Sequence, residues 1–173
     1  AAARSPERIQ RVDIVAGATP PAVGEQPPFQ QRVLQGLAAT TPTLLRFLFR
    51  GQSWLTERMP PSAVVSQYTI EGTEHVPSKA AELVHRDFLE AFARSQQGVV
   101  TEFALAGAKW DVSFERIDSP VCFRHGTRDS NVPIGGVRRL ADTLSTADLR
   151  VVDGADHLGT LLDARADVLA QHR

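Results

Sequence analysis

The fold is decided by residues 120–157, which read PVCFRHGTRDSNVPIGGVRRLADTLSTADLRVVDGADH. Two short runs rich in apolar residues, 121–125 and 148–152, each end at a polar loop that contains glycine, and this pattern predicts two strands. Between them, Pro133 suits the first turn of a helix that extends to about Ser145. A strand, a helix and a second strand at this spacing predict a right-handed parallel crossover. The sequence therefore indicates an α/β fold with a parallel sheet.

A third strand is predicted upstream, at residues 11–18. This run is rich in β-branched residues, contains Gly17 and is followed by Pro20-Pro21. Apart from Asp13, its residues are apolar at successive positions, which is typical of a strand buried on both faces of a parallel sheet. At the other end of the chain, an amphipathic helix is predicted after His157, because apolar residues recur there at helical spacing.

The middle of the chain carries no strand signal, and helical spacing dominates it. One helical stretch covers residues 29–55 and is broken at Thr40-Thr41-Pro42, because proline disfavours helix in the residue before it. A further helix is predicted over residues 78–96, with Ser78 as its N-cap and Gly98 as its stop signal. The chain is therefore predicted to divide into a core segment, a helical insertion and a second core segment, at 1–25, 26–110 and 111–173.

Composition and charge exclude several classes of protein. The chain has 173 residues, of which 42% are hydrophobic and 23% charged, and these values exclude a disordered or fibrous chain. Its 19 basic and 20 acidic residues give a net charge of −1, which argues against nucleic acid as a partner. No run of about 18 apolar residues exists, so no membrane partner is expected. The single Cys122 excludes an internal disulfide, and we expect a cytoplasmic protein.

Polar loops follow the two predicted strands of the crossover, and each loop holds a residue suited to acid–base chemistry. Asp129 follows the first strand and His157 follows the second. Ligands of open α/β sheets bind outside the carboxyl ends of the strands, so both side chains are expected at one rim. A carboxylate that accepts the imidazole N–H fixes the tautomer of the histidine and stabilises the imidazolium that forms when it takes a proton. We therefore predict that Asp129 and His157 form a catalytic pair.

These residues also have structural interpretations, which stay open at this point. One alternative is that His157 caps the last helix and that Asp129 caps the helix after its loop. A mixed set of acidic residues and histidines could suggest a metal site, but it has no ligand spacing of a known motif, so no metal is expected. The set is His125, Asp129, Asp153, Asp156 and His157. His125 ends a buried strand and is interpreted as structural, and Cys122 is interpreted as a small buried hydrophobe.

Several short motifs of this region occur together, namely Pro120-Val121, His125-Gly126, Asp129, Val132-Pro133 and a Gly-x-x-His loop ending at His157. In this combination they resemble the C-terminal part of an α/β-hydrolase. Residues 5–21 resemble the strand that follows the nucleophile helix in that family, and residues 26–110 take the place of its helical cap. Trp110-Asp111, leading into residues 117–120, is similar to the usual return from cap to core. The resemblance covers essentially the whole chain.

The resemblance implies a hydrolase that acts on an ester or a related carbonyl compound through an acyl-enzyme. His157 would be its general base and then its general acid, and Asp129 the carboxylate that orients the imidazole. No cofactor is implied, and the apolar cap implies a small, largely hydrophobic acyl substrate. Two alternatives stay open. An aspartate nucleophile would mean an epoxide or haloalkane hydrolase, and a non-catalytic member of the fold would bind a ligand or partner in the cap cleft.

The sequence departs from the family pattern at two places. Asp156 stands where the family commonly has glycine before the histidine, so a second carboxylate neighbours His157. We favour Asp129 as the orienting acid, because a residue adjacent in sequence rarely bends back onto the ring nitrogen. The nucleophile elbow Gly-x-Ser-x-Gly is absent. Residues 51–55, GQSWL, lack the final glycine and are interpreted as the C-terminus of a helix without a catalytic role.

The nucleophile and the oxyanion hole are therefore expected in sequence before residue 1, and the chain alone is expected to be inactive. The opening residues 1–3, all alanine, are interpreted as the tail of the nucleophile helix. The strand at 11–18 would then have a bare edge, which is an aggregation hazard. We expect that further chain, a complementary chain or a homodimer partner covers this edge.

Overall fold

Three parallel strands form one sheet in the computed structural model, which describes residues 2–172. They are β1 (Val12–Val15), β2 (Val121–Gly126) and β3 (Ala147–Val152), in the order β1-β2-β3. Val12 lies opposite Val121 in the first pair, and Val121 lies opposite Ala147 in the second. The α/β class and the parallel sheet predicted from the sequence are confirmed.

Seven α-helices and three short 3-10 helices complete the described part of the chain. The α-helices are α1 (Phe29–Thr40), α2 (Pro42–Thr56), α3 (Pro61–Val65), α4 (Ser78–Ala93), α5 (Gln97–Gly107), α6 (Ile134–Asp142) and α7 (His157–Gln171). The 3-10 helices are Pro6–Arg8, Thr73–His75 and Phe114–Arg116. Residues 2–4 form a turn where the end of a helix was expected, and Ala1 lies outside the described residues. Within residues 2–172, every helix is too short or too polar to cross a membrane.

The chain divides into two compact units. The first, which we call the core unit, comprises the residues up to Pro27 and those from Lys109 onward, and it holds the sheet with α6 and α7. The second, the helical unit, is Pro28–Ala108 and holds α1 to α5. The insertion predicted at 26–110 spans the helical unit, and its assignment as a cap stays a prediction.

Strand β2 is the centre of the core unit. All six of its residues are buried, because it has a strand on each side and helices packed against it. Val121 and Phe123 share one face of the strand and form an apolar cluster with Val137, Leu140 and Leu144 of α6 and the turn after it. Helix α7 also packs on β1 and β2.

The prediction for the first strand is wrong in its length and in its burial. Strand β1 covers only Val12–Val15, because Ala16 takes a left-handed φ of 49° that ends the extended backbone. Its four residues are half-buried rather than fully buried. The reason is that, among the strands of residues 2–172, β1 lies at the edge of the sheet and pairs with β2 alone.

A buried ion pair joins β1 to β2. Asp13 Oδ1 lies 2.6 Å from Arg124 Nη1, and the two side chains are only 2% and 4% exposed. Arg11 Nε lies 2.6 Å from Asp13 Oδ2, and His172 Nε2, at the end of α7, lies 3.0 Å from the same oxygen. The hydrogen bond from Arg11 outweighs the effect of burial and lowers the pKa of Asp13 well below its ordinary value. Asp13 is therefore an ionised group shared by three basic side chains.

The helical unit has an apolar core of its own, formed by Ala38, Leu45, Phe49, Phe92 and Val100. The Phe49 ring stacks on Phe103 with centroids 5.8 Å apart and lies 5.5 Å from Phe92. These rings and Phe88 line an apolar cavity of about 400 Å³ within the unit. Phe47, in α2, is 68% exposed and does not belong to this core.

Two helix signals in this unit are misplaced. Ser78 is the first residue of α4 rather than its N-cap, and Pro77 occupies the cap position without a side-chain hydrogen bond. Helix α4 ends at Ala93, and Gly98 lies inside α5, a helix that the sequence did not predict. The chain continues as a helix through Gly98 because Val100 is buried in the aromatic core, and this packing outweighs the local preference of glycine.

Candidate active site

Two polar loops leave the sheet side by side at its carboxyl edge. The acid loop, residues 127–133, follows β2, and the histidine loop, residues 153–156, follows β3. Because β2 and β3 are parallel neighbours, the loops begin at the same rim. A backbone hydrogen bond joins them, in which the N–H of Arg128 donates to the carbonyl oxygen of Ala155 at 3.0 Å. The whole site belongs to the core unit.

Two glycines allow the loops to approach this closely. Gly154 adopts a φ of 74°, a conformation that favours glycine, and its N–H donates to Thr127 Oγ1 at 2.8 Å. Gly126 ends β2, and a Cβ at this position would collide with the carbonyl oxygen of Ala155 and the hydroxyl of Thr160. Gly126 therefore admits no side chain unless the histidine loop moves.

Asp129 is the buried acid of the site, and its side chain has no exposed surface. Oδ1 accepts the backbone N–H groups of Asn131 and Val132, both at 2.9 Å. Oδ2 lies 2.8 Å from His157 Nδ1 and 3.3 Å from His125 Nε2. Burial alone would raise the pKa of this carboxyl, but hydrogen bonding to the two histidines and to Val132 outweighs it, and the pKa of Asp129 lies well below its ordinary value. The group is an ionised acceptor at neutral pH.

His157 opens α7, and its imidazole is 28% exposed. Its Nδ1 must carry a proton in order to donate to the ionised carboxylate of Asp129, so Nε2 is the basic nitrogen of the neutral ring. When Nε2 takes a proton, the resulting imidazolium lies against a full negative charge in a place that water does not screen well. The pair can therefore accept a proton at Nε2, hold it and release it.

Asp156, the second acidic residue of the histidine loop, caps a helix. Asp156 is buried, and its Oδ1 accepts the backbone N–H of Gly159 at 2.8 Å, so it is the N-cap of α7. The carboxylate that lies against His157 is that of Asp129. The interpretation of His157 and Asp129 as helix caps is wrong, since Asp156 caps α7, and α6 follows Pro133 without a side-chain cap.

The remaining polar residues of the two loops form no metal site. Throughout residues 2–172, no three side chains of histidine, cysteine, aspartate or glutamate are grouped so that they could hold a metal ion. Asp153 accepts a hydrogen bond from Thr127 Oγ1 at 3.1 Å, and Cys122 is buried in β2. His125, interpreted from the sequence as structural, lies beside the acid of the site. The signal that could have shown this contact is the spacing of four residues between His125 and Asp129 across the end of the strand.

No family model matches the sequence, and no curated protein matches it either. Solved structures match nearly the whole chain. A 2-hydroxy-6-oxo-6-phenylhexa-2,4-dienoate hydrolase from Rhodococcus sp. strain RHA1 is 20% identical with a TM-score of 0.59, and the match covers 99% of this chain and 57% of that one. An enol-lactonase from Burkholderia xenovorans LB400 is also 20% identical, with a TM-score of 0.62 and coverage of 98% and 57%.

A third match is an alpha/beta hydrolase fold protein from Nakamurella multipartita, which is 21% identical with a TM-score of 0.54. That match covers 97% of this chain and 63% of the other. The chain thus spans between 57% and 63% of the length of these three structures. At such low identity the similarity concerns the fold alone. Together with the parallel sheet and its flanking helices, it shows that this chain has the α/β-hydrolase fold.

Proposed function

We propose that the protein is a hydrolase of esters or related carbonyl compounds, in which His157 is the general base and then the general acid. The observation that carries the proposal is the distance of 2.8 Å between His157 Nδ1 and a buried, ionised carboxylate, that of Asp129. This pair lies at the carboxyl edge of a parallel sheet, where open α/β folds bind their ligands. The names of two matched structures, a hydrolase and an enol-lactonase, support the same class of reaction.

The proposed reaction follows from the tautomer of His157. Nε2 takes the proton of a nucleophilic hydroxyl as its oxygen forms a bond to the substrate carbonyl carbon. The imidazolium then gives this proton to the leaving oxygen as the ester bond breaks, which leaves an acyl-enzyme. Water repeats the sequence with Nε2 as base and releases the acid. Asp129 stays ionised throughout and stabilises the imidazolium, and no cofactor takes part.

We propose that the nucleophile and the oxyanion hole come from residues outside these 173. Two observations support this. The sequence contains no Gly-x-Ser-x-Gly elbow, and the chain spans 57% of the length of the first two matched structures. Residues 51–55, the nearest imitation of the elbow, lie in α2 within the helical unit. A serine nucleophile implies ester hydrolysis, whereas an aspartate would imply an epoxide or haloalkane substrate.

We also propose that further chain, a complementary chain or a second copy of this chain covers the free edge of β1. Within the described part of the chain, strand β1 pairs with β2 alone, and its residues are half-buried. A cavity of about 540 Å³ lies beside it, and its mostly apolar lining includes Val12, Ile14 and Phe114. An uncovered strand edge of this kind promotes aggregation. A complementary chain or a second copy is the partner proposed for it.

The proposed substrate is a small, largely hydrophobic acyl compound. The cavity of about 400 Å³ in the helical unit supports this class, because most of its lining side chains are aromatic or aliphatic and it is of the size that holds small ligands.

The experiment begins by identifying the nucleophile-bearing polypeptide, from the intact mass of the purified protein and of any chain that co-purifies with it. Turnover of p-nitrophenyl esters is then measured for that assembly and for its variants. We expect His157→Ala to lower kcat by at least about 100-fold, because general acid–base catalysis contributes on that order. His75→Ala is the control, because His75 is exposed in the helical unit, and its rate should not change.

Two results would contradict the proposal. An unchanged rate in His157→Ala would exclude this residue as the base. An assembly that turns over no ester, epoxide or haloalkane would overturn the hydrolase proposal and favour the alternative, a fold that binds a ligand or partner.

A further inference from the structure

His125 is a polar side chain at a position that strand patterning assigns to the core. It is the penultimate residue of β2, is 1% exposed, and shares a strand face with Val121 and Phe123. A buried imidazole costs free energy unless its polar atoms are hydrogen-bonded. The groups that contact His125 Nε2 therefore indicate its role. They belong to Val132 and Asp129, and both residues lie in the acid loop.

These partners define the tautomer of His125. Its Nε2 lies 2.7 Å from the carbonyl oxygen of Val132, which can only accept, so Nε2 carries a proton. The same nitrogen lies 3.3 Å from Oδ2 of Asp129, so the positive end of the N–H group also faces that carboxylate. His157 approaches the same oxygen with a proton on Nδ1. The two imidazoles beside Asp129 thus hold opposite tautomers.

His125 also closes the acid loop. Val132 accepts the N–H of His125 at its carbonyl and donates its own N–H to Oδ1 of Asp129 at 2.9 Å. One end of the loop is thereby tied to β2, a fully buried strand, and the carboxylate is tied to that end. Asp129 cannot rotate Oδ2 away from His157 without breaking these bonds.

We propose that His125 is a positioning residue for Asp129 and, through it, for His157. The catalytic consequence rests on the proposed hydrolase function, whereas the positioning is a property of this chain that can be measured without turnover. Removing the donor at position 125 releases Val132 and lets the acid loop open, so the bond between Asp129 and His157 becomes intermittent. A glutamine at this position can donate its amide N–H to the same carbonyl and should restore the closure.

The test is nuclear magnetic resonance of the 173-residue chain with ¹⁵N-labelled histidine, in which two-bond ¹H–¹⁵N correlations identify the ring nitrogen that carries the proton. We expect Nε2–H for His125 and Nδ1–H for His157. In His125→Leu the exchange of the His157 Nδ1 proton with water should become faster by about tenfold, the factor that corresponds to the loss of one hydrogen bond. In His125→Gln it should stay close to the rate in the unmodified chain.

The matched control is His85→Leu. His85 Nε2 lies 3.1 Å from the carbonyl oxygen of Thr56 in the helical unit, so this variant removes a comparable contact away from the acid loop. It should leave the His157 proton unchanged. An Nδ1–H tautomer of His125 in the unmodified chain overturns the proposal, and that measurement requires no variant to fold. An unchanged exchange rate in a folded His125→Leu chain also overturns it.

Turnover separates this proposal from the hydrolase proposal. In the assembly that carries the nucleophile, His125→Leu should lower kcat on the order of tenfold and leave KM unchanged, and His125→Gln should recover most of the rate. If no assembly shows turnover while the tautomers and exchange rates are as expected, the positioning role of His125 is supported and only the hydrolase proposal fails.

Discussion

The substitution Asp13→Asn tests whether the buried ion pair between β1 and β2 holds the core unit together. Asparagine keeps the shape of the side chain and removes the charge that balances Arg124. The guanidinium is 4% exposed, and its Nη2 has no hydrogen-bond partner among residues 2–172, so it has no nearby replacement for the lost carboxylate. Removing one partner of a buried ion pair costs about 3–5 kcal/mol. We expect a loss of about 3 kcal/mol, since the amide oxygen still accepts one hydrogen bond.

Urea denaturation measures this loss. With a typical slope of about 2 kcal/mol per molar urea, the midpoint should fall by about 1.5 M. Trp110 lies in the core unit and Trp54 in the helical unit, so fluorescence of a Trp54→Phe background reports the unfolding of the core unit. The fall in the urea midpoint should appear in the unfolding transition of the core unit.

Asp148→Asn is the matched control. Asp148 Oδ2 lies 3.2 Å from Arg150 Nε, but these side chains are 64% and 51% exposed. Exposed pairs contribute about 0–1 kcal/mol, so the midpoint should change little. If Asp13→Asn and Asp148→Asn lower the free energy of unfolding equally, the buried pair is not the stabilising contact inferred here.

Two further measurements extend the same prediction. The double substitution Asp13→Leu with Arg124→Met removes both charges and should return the stability to within about 1 kcal/mol of the unmodified chain. The pKa of Asp13 is lower in the folded than in the unfolded chain, so its stabilisation is fully present above about pH 4 and is lost as the pH falls further. The difference in the free energy of unfolding between the unmodified chain and Asp13→Asn should therefore shrink in acid. A difference that grows in acid would contradict the predicted direction of this pH dependence.

Two substitutions test the loops of the site. Asp156→Ala removes the cap that accepts the Gly159 N–H, and should lower the urea-derived free energy of unfolding by about 1 kcal/mol without changing the tautomer of His157. A change of tautomer would mean that Asp156 also orients the imidazole. Gly126→Ala places a methyl group against the Ala155 carbonyl and should cost about 1–3 kcal/mol and speed the exchange of the His157 Nδ1 proton. A stable Gly126→Ala chain with the same exchange rate would show that the loops tolerate separation.

The two strands of the crossover are predicted to within one residue at each end. Strand β2 is buried throughout and its composition reflects this directly, whereas β3 is only partly buried. Helix α5 was missed, because local signals around Gly98 argue for a stop and only packing of Val100 on aromatic rings from other helices overrides them. The burial of β1 was misjudged for a related reason, since strand order is not a local property.

The sequence by itself determined the α/β class. It also determined that Asp129 and His157 lie in the loops that follow the two strands of the crossover. Both follow from local patterns of apolar and polar residues. Only the tertiary structure decided that the Asp129 carboxylate contacts the imidazole and that Asp156 caps α7. It also decided that His125 supports the acid loop and that Asp13 pairs with a residue 111 positions away. These contacts depend on the paths of separate loops and strands in space, and local sequence patterns carry no record of those paths.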